Sequence, residues 1–327
     1  MNTPNILEEL MGFMKTRIVL TAGDLDFFTK IQDAPKSDRD LAHDLNIDAH
    51  AASRILACLA AFGLIKKEND HYYLTEAGEP LSAHHPDTLL PMIRHMSTMW
   101  DNWTQLTRTV QQGVNAGLKP VINAPDIKNT NDFIGAMQVI GKDLAREIAA
   151  DYSLKQYHCL LDIGGGSGIY TVAFLEKNSH LKAVLFDLPA VIPMAQECIG
   201  RAGLLRVGFV AGDFYTDELP PGCDIALLSA IIHQNTPEEN MDLFRKIYRA
   251  LDPCGCVLIR DHIMSESRMS PPAGAVFAIN MLVHTKGGDT YTFSEVQKML
   301  EQAGFKDIKL VRTGEKMDCL VVGKKPS

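Results

Sequence analysis

No run of apolar residues in this 327-residue chain reaches the roughly 18 needed to cross a bilayer as a helix. The opening MNTPNILEEL lacks a basic stretch followed by an apolar core, so no secretion signal is expected and a cytoplasmic location follows. Positive charge is not in excess: 32 Lys and Arg stand against 40 Asp and Glu, a net charge of −8. That balance argues against nucleic acid or an anionic membrane as a partner. Cysteine is scarce and odd in number, seven in all, and free thiols are expected. Cys254 and Cys256 have no second Cys or His pair nearby that would complete a zinc site. No carboxylate cluster reads as a Mg²⁺ site, so no metal is expected. Internal repeats and low-complexity tracts are lacking as well. What is present is an ordinary globular composition, 46% hydrophobic and 22% charged, enough for a core in each of two domains.

Three stretches differ in character. Residues 1–85 read as short amphipathic helices, with a turn around Asn46 and an apolar helix carrying Ala51, Ile55, Leu56, Leu59 and Phe62. KKENDHYYL follows, two strand-like pieces around an Asn-Asp turn. Helix-turn-helix plus hairpin is a winged-helix pattern. Residues 86–155 form a helical linker with a loop rich in Gly, Asn and Pro around 113–130. Residues 156–327 alternate strands (Cys159–Ile163, Ala183–Asp187, Val207–Ala211, Ile225–Ser229, Cys256–Asp261) with helices. This rhythm predicts an α/β, mostly parallel, doubly wound sheet. A terminal hairpin is expected around Thr313-Gly314.

The string CLLDIGGGSGIYTVAFL places a glycine loop between a strand and a helix. Glycines allow sharp turns and close approach to a ligand, and a helix start offers free N–H groups. Gly164, Gly166 and Gly168 give G-x-G-x-G, with Ile169 where a dinucleotide fingerprint has its third glycine. Asp162, just before the loop, would repel a pyrophosphate but suits a cationic amino group. Both features favour S-adenosyl-L-methionine (SAM) over NAD. Asp187, at the end of the next strand, is placed to accept hydrogen bonds from ribose hydroxyls. Asp213 follows the third strand and can take an adenine amino group while Phe214 packs on the ring.

These strings together carry a family likeness. LLDIGGGSG, FDLPAVI, AGDF, the histidine of SAIIHQNTPEENMDLFRKIYRAL, and GGDTYTFSEVQKMLEQAGF occur in order along essentially the whole chain. The chain resembles the winged-helix class I SAM-dependent O-methyltransferases, the plant caffeate and acetylserotonin type and their bacterial relatives. The resemblance implies a Rossmann-like, seven-stranded domain at 156–327. It also implies an N-terminal all-helical winged-helix domain at 1–85 that forms a homodimer, and a linker at 86–155 that contributes to the acceptor pocket. Asp162, Gly164, Gly166, Gly168, Asp187, Leu188, Asp213, Phe214 and Ser229 are then the candidate cofactor residues, and His233 is the base. Three positions depart from the family. His-Asp-Trp is His233-Gln234-Asn235 here, a lysine is replaced by Ser229, and a glutamate is replaced in the Asp289-Thr290 segment.

The chemistry gives His233 its task. The methyl group of SAM is electrophilic, and a hydroxyl must lose its proton as it attacks. A phenol titrates near ~10 and imidazole near ~6.5, so at neutral pH a histidine is free to take that proton. Asp261, ending the next strand, can orient the imidazole, and Asp289 is a weaker candidate for the same task. His262 is a rival base that would point to the opposite face if its strand continued. Phe133, Met137 and Ile140 fall on one helical face, and Phe277, Asn280, Met281 and His284 on another; both are candidate walls for a small-molecule acceptor. The expected reaction is methyl transfer to a phenolic or enolic hydroxyl, with S-adenosylhomocysteine as product. S-, N- or C-methylation, and SAM binding without methyl transfer, remain alternatives. A winged-helix regulator is disfavoured, since residues 1–80 carry 8 basic against 13 acidic residues. A dehydrogenase is disfavoured by Asp162 and Ile169.

Overall fold

The computed structural model describes residues 6–118 and 127–327, with side chains at all but 127–129 of these. The described chain divides into two compact units, Met1–Asp101 and Asn102–Ser327. Among the described residues no helix is long and apolar enough to cross a membrane.

The first unit holds α1 (Ile6–Asp24), α2 (Phe27–Asp33), α3 (Asp38–Leu45) and α4 (Ala49–Ala61). Local chemistry sets these boundaries. Ser37 and Asp40 form a reciprocal capping box at the start of α3, and Asn46 ends that helix in the left-handed conformation. Asp48 accepts from the Ala51 N–H to open α4. The expected turn around Asn46 is therefore a C-cap. β1 (Ile65–Glu68) and β2 (His71–Leu74) then pair antiparallel. Asn69 and Asp70 make their turn, both with positive φ, which short polar side chains tolerate. The hairpin adds strands to a domain that the family likeness described as all-helical. Phe27, Phe28, Leu41, Leu56, Leu59 and Ile65 fill its core. α5 (Leu90–Trp103) follows.

The second unit begins with α6 (Leu106–Gln112) and α7 (Ile127–Asp151). The loop expected at 113–130 lies partly outside the described residues, and its last part, from Ile127, is already helix. Then come β3 (Cys159–Ile163), α8 (Ile169–Lys177), β4 (Lys182–Asp187), α9 (Ile192–Arg201), β5 (Val207–Ala211), β6 (Cys223–Ser229), α10 (Pro237–Ala250) and β7 (Leu251–Asp261). β8 (Ile263–Met264), α11 (Pro272–His284), β9 (Tyr291–Thr292), α12 (Phe293–Gln302), β10 (Lys306–Arg312) and β11 (Cys319–Lys324) complete it. The seven-stranded sheet has the order β10-β11-β7-β6-β3-β4-β5, with β11 antiparallel to both neighbours. Period-two alternation separates two cores: Leu161, Ile163, Ala226, Leu228, Val257 and Ile259 face one side, Leu160, Ile225, Leu227 and Leu258 the other. β3 lies between β4 and β6, so successive crossovers leave it in opposite directions, and the carboxyl ends of these strands form the switch point at which such sheets bind ligands.

One expectation is overturned. Cys159 and Cys223, 64 residues apart, form a disulfide across the starts of β3 and β6, leaving five described cysteines free. Sequence spacing carries no sign that these two strand ends lie level and adjacent.

Candidate active site

The glycine loop leaves β3 with Gly164, Gly166 and Gly168 at φ of 65°, 57° and 79°, values that L side chains adopt only under strain. Space is also lacking. A Cβ at Gly164 would stand 2.7 Å from Cδ1 of Ile231, and one at Gly168 2.7 Å from Cδ1 of Ile199. Gly168 enters α8 with no side-chain cap, leaving first-turn N–H groups without one. Asp187 fastens the loop from the end of β4. Its two carboxylate oxygens accept from the N–H of Gly166 and of Leu188, each at 2.7 Å. Burial raises the Asp187 carboxyl above its ordinary value against these two bonds. Asp162 is turned inward, 1% exposed, and accepts from the Thr171 hydroxyl at 2.6 Å. Burial is the main reason its carboxyl is pushed up to about 6. The carboxylate expected before the loop lies buried beneath it, where its bond to Thr171 ties β3 to α8.

After β5, Asp213 accepts from the Tyr215 N–H at 2.9 Å and its own N–H bonds Asp217. Phe214 lies half-buried beside Gly164, within 3.6 Å of where a Cβ there would stand. The buried ammonium of Lys246 holds this loop, donating to the carbonyls of Phe214 and Tyr215, both at 2.9 Å. Ser229, at the end of β6, accepts from Nε of Arg260 at 2.9 Å. The guanidinium of Arg260 also lies 5.0 Å over the Tyr170 ring.

Beyond β6 the backbone passes through Ala230 at φ 59° and enters a short 3₁₀ turn, Ile232–Gln234. This turn carries His233, whose Nδ1 faces both oxygens of Asp261 at 2.9 and 3.0 Å. Both side chains are buried. Burial alone would raise the Asp261 carboxyl, but the facing imidazole, together with Arg260 and the His262 N–H, holds it below its ordinary value. The carboxylate fixes the ring by one nitrogen and leaves Nε2 for other work. Phe277 packs perpendicular to the ring, centroids 4.8 Å apart.

Comparison with known proteins decides the family. A family model described as the O-methyltransferase domain matches residues 103–306. The chain belongs to the O-methyltransferase family. It is 28% identical to the tetracenomycin polyketide synthesis 8-O-methyl transferase TcmO of Streptomyces glaucescens, over 98% of this chain and 96% of that one. It is 26% identical to acetylserotonin O-methyltransferase of Gallus gallus, covering 96% and 95%. The fold matches the solved structure of PigF with SAH at a TM-score of 0.87, with 23% identity over 99% of this chain and all (100%) of that one.

The acceptor side of this O-methyltransferase is built less as its sequence suggests. Phe133 and Met137 are half-buried on α7, but Ile140 is 60% exposed. The helix turns Ile134, Gly141, Ala145 and Ile148 inward instead. Gly141 is the reason, since a Cβ there would stand 2.5 Å from Ile169. On α11, Phe277 meets His233, Met281 is buried, and the Asn280 side chain accepts from Nε1 of Trp103 at 2.9 Å. His284 bonds the Asn280 carbonyl through Nδ1 at 2.9 Å. Asp289 is not brought to the His233–Asp261 pair. Arg268 holds it at 2.9 Å and binds Glu295 as well. The expected alternation of His262 also fails, because β7 ends at Asp261 and the His262 ring packs against Phe277.

Sequence reading missed a polar chain beneath the His233 turn, buried at Asn235 and Asn240. The Tyr215 hydroxyl donates to Asn235 at 2.6 Å, Asn235 donates to Asn240 at 3.0 Å, and Asn240 donates to the Ile232 carbonyl at 2.8 Å. The Tyr291 hydroxyl donates to the Asn235 carbonyl at 2.5 Å. The signal was the asparagine of His-Gln-Asn, whose short amide can do what an indole cannot.

Proposed function

We propose that this chain transfers the methyl group of SAM to a phenolic or enolic hydroxyl of a small molecule, with His233 as general base oriented by Asp261. The observation that carries the reading is the buried His233–Asp261 pair at 2.9 Å, one strand end away from the glycine loop. A pair built to take a proton suits a hydroxyl, which must lose one as it attacks. The relatives point the same way, being named for 8-O-methyl transfer in tetracenomycin polyketide synthesis, for 3-O-methylation of 3-hydroxy-5-methyl-1-naphthoate, and for acetylserotonin O-methylation.

The residues present fit SAM. A Cβ at Gly166 would meet nothing nearer than Cδ1 of Ile134 at 3.8 Å among the described residues, so the loop backbone there is open to a ligand, and the uncapped start of α8 lies beside it. Each Asp187 oxygen spends one acceptor position on the loop, leaving capacity for ribose hydroxyls. Asp213 and Phe214 are assigned to adenine, Leu188 to the sugar edge, and Asp162, Gly166, Gly168 and Ser229 to the amino-acid end. When bound, SAM supplies an electrophilic methyl group. His233 then takes the acceptor proton on Nε2, Asp261 stabilises the imidazolium that forms, and Phe277 with Met137 and Phe133 holds the acceptor ring. Alignment of acceptor and methyl supplies much of the rate. The first unit is assigned to homodimer formation.

His233→Ala tests the reading. S-adenosylhomocysteine affinity should stay within about twofold while turnover on a phenolic acceptor falls by about 10²–10⁴. Unchanged turnover rejects His233 as the base.

A further inference from the structure

His262 has no part in the pair just described, yet it stands in the same wall. Its ring centroid lies 5.1 Å from that of Phe277, tilted by 43°, and the ring that touches His233 is this same Phe277. The residue is 5% exposed, and its Nδ1 is buried without a hydrogen-bond partner. That nitrogen abuts the start of α11, where a Cβ on Gly274 would stand 3.5 Å from it. The backbone N–H is already satisfied by Asp261 at 2.8 Å. Among the described residues nothing bonds the imidazole, so the fold leaves its hydrogen-bonding capacity unused.

Buried polar groups are rarely left in that condition without a use. Burial pushes His262 below its ordinary value and outweighs the nearby Asp261 carboxylate, so the ring is neutral at pH 7. A cation would carry an N–H donor sealed against α11. The neutral tautomer with its proton on Nε2 leaves only a lone pair in the sealed position, and an unmatched acceptor is tolerated better than an unmatched donor. Nε2–H is then a donor in search of an oxygen.

We infer that His262 binds a second oxygen of the methyl acceptor, selecting arenes that carry an oxygen beside the hydroxyl that His233 deprotonates. The inference rests on the O-methyltransfer reading above. Both imidazoles touch the Phe277 ring, and the inference places the acceptor against that shared contact. His233 serves the oxygen that is methylated, and His262 holds its neighbour. A site built to bond an oxygen rejects the analogue that lacks it, because the site's own polar group is left unpaired.

Calorimetry on the protein loaded with S-adenosylhomocysteine tests this with two probes, 2,3-dihydroxynaphthalene and 2-naphthol. The diol should bind the wild type about tenfold more tightly, the worth of one such hydrogen bond. His262→Leu should abolish that margin while leaving 2-naphthol affinity unchanged. His262→Gln, which keeps a donor, should restore part of it. Equal or undetectable affinities in the wild type, or a margin that survives in His262→Leu, overturn the inference. S-adenosylhomocysteine uptake reports the fold of each variant, and its failure in the wild type counts against the proposed function instead.

Discussion

Asp162 shows how one buried side chain can make cofactor binding depend on pH. Its carboxyl sits at about 6, raised first by burial and further by Asp187. A carboxyl raised in the fold contributes stability that is present below the ordinary carboxylate value and lost as pH rises through about 6. A cationic ligand brought beside it favours the ionised form and draws that value down. Uptake of S-adenosylhomocysteine, which keeps the ammonium of SAM, should therefore release a proton below pH 6. Affinity should rise by up to about tenfold per pH unit toward 6 and level off above it. Titration calorimetry at several pH values checks this, with Asp162→Asn expected to flatten the profile; a wild-type profile already flat would remove Asp162 from the ligand's surroundings. At this scale the glycines and strand-end aspartates were legible because each need is local, a positive φ or an acceptor at a strand's end. Asp289 was not, since its partner Arg268 lies 21 residues away on the other side of α11. His262 was misjudged because whether β7 stops at Asp261 depends on strand pairing rather than on neighbouring residues.

The elements were legible where side chains cap or pattern the backbone. Thr236 and Glu239 form a reciprocal box at the start of α10, as Thr292 and Glu295 do for α12. β3 and β5 have the bounds read from their apolar runs, and β7 begins five residues earlier than read, at Leu251. The face that α7 buries was not legible, since Ile140 fits an apolar stripe as well as Ile134 does. Only the need of Gly141 to approach Ile169 decides the rotation. α1 presents the reverse case. Leu7, Leu10 and Phe13 are 66%, 65% and 57% exposed on it, more apolar surface than a helix of a monomer ordinarily shows. If α1 is the dimer contact, sedimentation of the wild type should give twice the monomer mass, and a Leu10→Asp, Phe13→Asp double variant should sediment as a monomer. A monomeric wild type would reject that assignment.

At the scale of the whole molecule, alternating strands and helices fixed a parallel sheet, and right-handed crossovers limited its order. The order itself placed β3 between β4 and β6. That placement brings the glycine loop, Asp187 and the His233–Asp261 pair to the carboxyl ends of neighbouring strands, a convergence that no single motif contains. The winged helix and the sheet were both legible. The polar chain from Tyr215 to the Ile232 carbonyl was not, because it joins residues from three elements that meet only in the fold. The account stands on the glycine loop and Asp187 gripping a sulfonium nucleoside or its demethylated product. Calorimetric titration of nucleotide-free protein with S-adenosylhomocysteine at pH 7.5 tests that most directly. The account predicts saturable one-to-one uptake by the wild type, weakened about 100-fold or more in Asp187→Ala by loss of charge-assisted hydrogen bonds; no uptake, or equal uptake by both proteins, would contradict it.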